Sequence, residues 1–313
     1  LYDYLIEICG IMEERYPNAM IKTLAYRQSQ TQKPPALPPG ERLPDNLIVD
    51  FAPIDDCYFA DWWTHRDGEI QATYQDLLAW GRITEHLWAW IYPNPWGTGI
   101  IMPVGNVERV VNNVRLMKYA GVERVFADHN GDHRRANFSE LQHYLLLKLL
   151  KDVNADVDDV IREFTDFMYG TAAPLMREYI GELEQARKAM DPPPRMRYKS
   201  MSYDMATFPY LTVDNIYRWQ KTFDEMTELL EGEPERLLQN VRYVRRELNF
   251  ATLWRWYELK KKYPAYFSDY EVYTQGIRAV NHFDPLPDAA WEKETAKGIN
   301  RNPKPLGEHT IDY

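Results

Sequence analysis

Four short apolar runs recur in the first part of the chain, and each breaks into aromatic or acidic residues at its carboxyl end. They read M-I-K-T-L-A-Y from Met20 to Tyr26, L-I-V-D-F-A-P-I-D-D from Leu47 to Asp56, H-L-W-A-W-I-Y-P-N from His86 to Asn94 and V-E-R-V-F-A-D-H-N-G-D from Val122 to Asp132. Short runs of this composition predict strands. Between them, apolar residues recur at helical spacing: Tyr74, Leu77, Leu78 and Ile83, then Val107, Val110, Val111, Val114 and Met117 before a stop signal at Gly121. Leu1, Leu5, Ile8 and Met12 place a further stripe ahead of the first strand. Alternating strand and helix predicts a parallel sheet covered by helices, with the loops at the strand carboxyl ends free to carry a site.

Beyond Asn137 the pattern is helical throughout. Phe138, Leu141, Leu145 and Leu149 form one stripe; Val157, Ile161, Phe164 and Met168 form another, with Asp156 placed to cap it and Gly170 to stop it. Leu175, Tyr179, Leu183 and Ala186 make a third, after which Pro192, Pro193 and Pro194 mark a linker. Two longer helices are predicted, from about Val213 to Leu230 and from Pro234 to Lys262, then a weaker one from Tyr266 to Phe283. The prolines between Arg27 and Leu43 predict an extended loop over the sheet's carboxyl edge.

The fold class expected is α/β. Residues 1–136 would form the carboxyl-terminal half of a (β/α)8 TIM barrel, four parallel strands with their helices, since a closed barrel needs eight such units. The first half of the barrel is then expected to lie outside this chain. Residues 137–190 would close or flank the barrel, and 191–313 would be an all-helical domain.

Charge and composition narrow the partners. The net charge of -10 would repel a phosphate backbone, so nucleic acid is not an expected partner. Arg242, Arg245 and Arg246, interleaved with Glu247, read as a solvated helix face. No apolar run reaches the ~20 residues that span a bilayer. Cys9 and Cys57 read as buried thiols. No cofactor is expected.

Strand ends supply the candidate chemistry. Asp50, Asp55, Asp56, Asp128 and Asp132 are the available acids. Most aspartates near turns cap helices or loops, but Asp128 ends the fourth run with no intervening loop and is the first candidate acid/base group, with Asp50 second. Hydrolysis of a glycoside uses two carboxyl groups about 5–5.5 Å or about 6.5–9.5 Å apart. Trp62, Trp63, Trp88, Trp90, Tyr92 and Trp96 crowd two strand ends, and aromatic faces suit sugar rings. Alternation sends Trp88, Trp90 and Tyr92 to one side of the strand and Leu87, Ala89 and Ile91 to the other. The run D-H-N-G-D-H from Asp128 to His133 does not fit a calcium loop, which has glycine at its sixth and glutamate at its twelfth position where this chain has His133 and Ser139. A zinc set from His129, His133 and an aspartate lacks a helical frame, so no metal is expected.

The segments K-T-L-A-Y, N-L-I-V-D-F, H-L-W-A-W-I-Y, G-V-E-R-V-F and F-T-D-F-M-Y-G-T-A-A-P, together with Tyr179, resemble the domain of unknown function 4838 family. The resemblance spans roughly residues 20–186. It implies a bacterial, secreted or periplasmic protein of carbohydrate breakdown, with a barrel similar to those of α-glucuronidases and β-hexosaminidases. Two positions depart from the pattern: Trp88, Ala89, Trp90 stand for W-D-Y, and Ala127 for a glutamate. The resulting expectation is a glycoside-hydrolase-like protein that acts on, or binds, an oligo- or polysaccharide. Asp128 and Asp50 would be its acid/base groups, and Tyr26, Asp56, Trp88, Trp90, Tyr92, Asn94, His129 and Asn130 its sugar contacts. A non-catalytic saccharide-binding module, having lost acids at Ala89 and Ala127, is the second reading; a helical assembly domain is the third.

Overall fold

The computed structural model describes residues 1–59, 61–63, 68–93, 102–128, 136–191 and 207–268. Strands β1 (Ile21–Tyr26), β2 (Leu47–Ala52), β3 (His86–Ile91) and β4 (Arg124–Ala127) form one parallel sheet in sequence order. Helices α1 (Tyr2–Arg15), α2 (Gly68–Ile83) and α3 (Val107–Tyr119) alternate with them. All four expected strands are therefore present, adjacent and parallel. Their polar tails, such as Pro53–Asp56 and Asp128, lie past the last ladder position.

Register divides the side chains between two faces. Leu24 stands beside Asp50, Asp50 beside Trp88 and Trp88 beside Arg124, while Trp90 stands beside Phe126. Partners in register share a face, so these residues and Lys22 lie on one side. The other side, with Val49, Phe51, Leu87 and Ala89, joins Leu77, Trp80, Val110 and Val114 of α2 and α3 in a single buried cluster. Burial alternates along β3 as expected, with Leu87, Ala89 and Ile91 inside and Trp88 and Trp90 half-buried. Parallel sheets are ordinarily covered on both faces. Here one face stays open enough to leave Leu24 40% and Phe126 54% exposed.

The helical part continues the same buried cluster through α4 (Ser139–Lys151), α5 (Val157–Tyr169), α6 (Ala173–Lys188), α7 (Val213–Leu229), α8 (Glu235–Trp254) and α9 (Trp256–Lys262). Asp156 caps α5 by accepting from the Asp158 and Asp159 N–H groups at 2.9 and 3.0 Å. Gly170 ends α5 at φ 54°. No described helix is long and apolar enough to cross a membrane.

Three expectations change. The helix expected from Pro234 to Lys262 is two helices, broken at Arg255 (φ -103°, ψ 22°). The break lets Trp256 turn onto Phe267 while Trp254 packs beside Phe250. The arginine cluster is not a solvated face: Arg246 is buried, and Arg245 is held by Gln220 and Asp224 at 2.9 and 2.7 Å. The last turns of α8 meet neighbours all round, so a stripe of leucine and valine underestimates its burial. The extended loop after β1 begins instead with a π-helical turn, Arg27–Thr31, ahead of the prolines. Thr31 Oγ1 closes it by accepting from Tyr26 N–H at 2.9 Å. The Pro192–Pro194 linker lies outside the described residues, as does nearly all of the helix expected from Tyr266 to Phe283.

Candidate functional site

Parallel strands bring their carboxyl ends to one edge, and four candidate residues meet there through topology alone. Tyr26 ends β1, Trp90 lies near the end of β3, Tyr92 follows it and Asp128 follows β4. The Asp128 N–H donates to the Ile91 carbonyl at 2.8 Å, extending the ladder by one bond. Trp90 Nε1–H donates to Asp128 Oδ2 at 3.2 Å, and the Trp90 ring meets Phe126 edge-on at 4.6 Å. These contacts fix the Asp128 carboxylate at the edge of the Trp90 ring. Burial pushes the Tyr92 hydroxyl pKa upward, with Tyr26, Asp128 and Asp50 adding to the rise and Arg27 opposing it. Tyr92 thus lies within electrostatic reach of all four residues.

Asp50 sits one layer deeper, in the middle of β2. Its Oδ2 pairs with Lys22 Nζ at 3.0 Å, while its buried Oδ1 accepts no hydrogen bond from the described residues. Beside it, the Trp88 ring lies between Lys22 Nζ at 5.6 Å and the Arg124 guanidinium at 4.7 Å. Lys22, Asp50, Trp88, Trp90, Arg124 and Phe126 line a groove of about 440 Å³ on the open face.

Asp56 has a different environment. It is buried, its Oδ1 accepts from the Cys57 N–H at 2.7 Å, and its Oδ2 accepts from Trp62 Nε1–H and from Arg109 Nη2. Burial raises its carboxyl pKa, with Arg109, Trp62 and the Cys57 N–H working against the rise. Both oxygens are engaged inside the protein, so Asp56 braces the loop after β2 instead of facing the groove. Arg109 extends the brace by donating to the carbonyls of Cys57, Tyr92 and Pro93 at 2.9, 3.0 and 3.3 Å. Trp62 is buried with it, and Trp63 is exposed.

Arg27 adds a residue that the sequence reading treats only as loop. It adopts φ 55°, a left-handed backbone for a non-glycine residue, which stores about 1–3 kcal/mol of strain. Its guanidinium lies 5.1 Å from the Tyr26 ring centre and 3.3 Å from Asp55. The only sequence signal is an arginine immediately after an aromatic strand end.

The structure therefore brings together Tyr26, Trp90, Tyr92 and Asp128 with Asp50 beneath them, leaves Trp88 deeper on the open face, and turns Asp56 inward. Asn94, His129 and Asn130 lie outside the described residues, with Trp96, Asp132 and His133. Among the described residues, no cluster of three or more His, Cys, Asp or Glu side chains is placed to hold a metal ion.

The family model described as Domain of unknown function (DUF4838) matches residues 2–181. The chain belongs to this family. The matched stretch includes the whole sheet, Tyr26, Asp50, Trp90, Tyr92 and Asp128, whereas α7, α8 and α9 lie beyond it. No curated protein and no solved structure matches the chain.

Proposed function

We propose that the four strand-helix units are half of a (β/α)8 barrel and that the protein engages an oligo- or polysaccharide at the carboxyl ends of its strands. The observation that carries this reading is the convergence of Tyr26, Trp90, Tyr92 and Asp128 at one sheet edge. Aromatic rings there offer stacking surface, and the Asp128 carboxylate and tyrosine hydroxyls offer hydrogen-bond partners, the usual composition of a sugar subsite. In a glycosidase of this form Asp128 would be the acid/base group, with the first half of the barrel contributing to the site and the protein exported to meet its polymer.

The second reading, a non-catalytic saccharide binder, is supported by the state of the other acids. Asp50 is committed to Lys22, Asp55 to Arg27 and Asp56 to Arg109. Calorimetric titration with a panel of neutral and acidic oligosaccharides tests the shared claim. Saturable heat from at least one sugar, weakened by Trp90→Ala, is expected. No binding across the panel would overturn both readings.

A further inference from the structure

Asn137 and Phe138, just ahead of α4, are gripped in part from outside the family-matched region. Asn137 and Phe138 both adopt left-handed backbone conformations, at φ 52° and 53°. Asparagine tolerates this region; phenylalanine does not, so a pair of this kind needs contacts that hold it. Asn137 has them at three polar groups. Its N–H donates to the buried Glu247 carboxyl group of α8, its Oδ1 accepts from Val104 N–H at 2.9 Å, and its carbonyl accepts from Gln142 Nε2 at 2.6 Å. Phe138 packs on Tyr179 of α6, ring centres 6.1 Å apart.

The polar contacts continue from Asn137 to the mouth. Gln142 Nε2 also lies 2.9 Å from Asn106 Oδ1, and Asn106 Nδ2 donates to the Tyr58 carbonyl at 2.7 Å. Tyr58 follows Cys57, whose carbonyl is held by Arg109, and Arg109 in turn grips Asp56 and the Tyr92 carbonyl. Asn106 leaves the start of α3 uncapped by its own side chain; Glu184 of α6 takes over, accepting from Glu108 N–H at 3.0 Å. The helical part thus supplies the groups that fix both the entry to α4 and the entry to α3.

We propose that Glu247 is a positioning residue, which acts through the Asn137 backbone to hold the loops that form the carboxyl-end mouth of the sheet. A buried acid on α8 has no other assigned task, and the path from it to Tyr92 runs through hydrogen bonds between buried groups. The inference concerns how the mouth is held, and it stands whichever saccharide, if any, binds there.

Tryptophan indole resonances of the ¹⁵N-labelled chain read this directly. Trp62 Nε1–H donates to Asp56 at the mouth, whereas Trp80 Nε1–H of α2 donates to the Gln32 carbonyl at 2.6 Å. Glu247→Ala should move or broaden the Trp62 resonance and leave Trp80 and the helical circular dichroism in place. Glu247→Gln should restore the parental Trp62 position, because an amide oxygen still accepts from Asn137 N–H. A folded Glu247→Ala variant with Trp62 unmoved would overturn the proposal, and so would a Glu247→Gln variant as disturbed as Glu247→Ala. Should Glu247→Ala not fold, Glu247→Met decides. It fills the same space but deletes the acceptor for Asn137 N–H. A shift of Trp62 alone supports the proposal; an unchanged Trp62 overturns it.

Discussion

Arg109 Nη2 and Asp56 Oδ2 meet at 2.7 Å with both side chains almost sealed from water. Neither residue touches the open face, yet together they join the loops after β2 and β3. Removing one member of a buried pair strands the other's charge, at a cost of about 3–5 kcal/mol. Arg109→Met should therefore lower unfolding stability by that order in urea titrations, since it also frees three carbonyls. Asp56→Asn, which keeps an acceptor for Trp62, should cost less.

Helix propensity and sterics oppose each other at Gly81. Alanine is favoured over glycine inside a helix by about 1 kcal/mol. A Cβ at Gly81, however, would lie 2.2 Å from the Ala120 carbonyl oxygen, where α2 passes the end of α3. A backbone oxygen cannot rotate away, so the clash dominates. Gly81→Ala should lower the thermal midpoint, whereas Gly10→Ala in α1, with open space around the new Cβ, should not.

Glu247 makes stability depend on pH. Burial pushes its pKa up from 4.5 to about 8, against the pull of the Asn137 N–H and Arg246. The folded state then binds the proton more tightly than the unfolded chain between those values. This contribution to stability is complete below about 4.5, declines as pH rises and levels off above about 8. Tyr179 and Tyr210, the other ionisable groups that interact with it, are held well above their ordinary pKa by burial and stay neutral in this window. Glu184, raised to about 7 by burial, adds a slope of the same sign. Glu247→Gln should match the parent near pH 4 and exceed it by a few kcal/mol at pH 9, with the Glu184 slope remaining.

Asp128 and Trp90 separate chemistry from binding. In a hydrolase, Asp128→Asn should cut turnover by a factor on the order of 10² or more while leaving saccharide affinity nearly intact, because the amide is isosteric but cannot transfer the proton. Trp90→Ala should weaken binding first. Turnover unaffected by Asp128→Asn, with binding lost in Trp90→Ala, would remove Asp128 from the chemistry.

The sheet and its strand order are readable from the chain because burial imposes a two-residue period on β3 and a helical period on α2 and α3. The carboxyl-end residues Tyr26, Tyr92 and Asp128 are readable for the same reason, since position in a parallel strand dictates them. What escapes is orientation after a strand ends. Asp55 and Asp56 are neighbours of one chemical type, yet one reaches Arg27 and the other Arg109, on a different element. The break at Arg255 carries no proline or glycine, and the left-handed Arg27 and Phe138 are of residue types that do not favour that conformation.

The open face also bears on self-association. Among the described residues, β1 and β4 are the two edges of the sheet, each with a neighbour on one side only. Each edge carries a cation on that face, Lys22 on β1 and Arg124 on β4, both at the amino-terminal end of the strand and both beside the Trp88 ring. Both side chains project from the face rather than along the ladder, so they do not block the outer backbone groups of β1 and β4 from pairing with further strands, the pairing that closure of a barrel needs. Two copies stacked face to face would set these like charges against each other. The face thus opposes self-stacking while the edges stay able to extend the sheet.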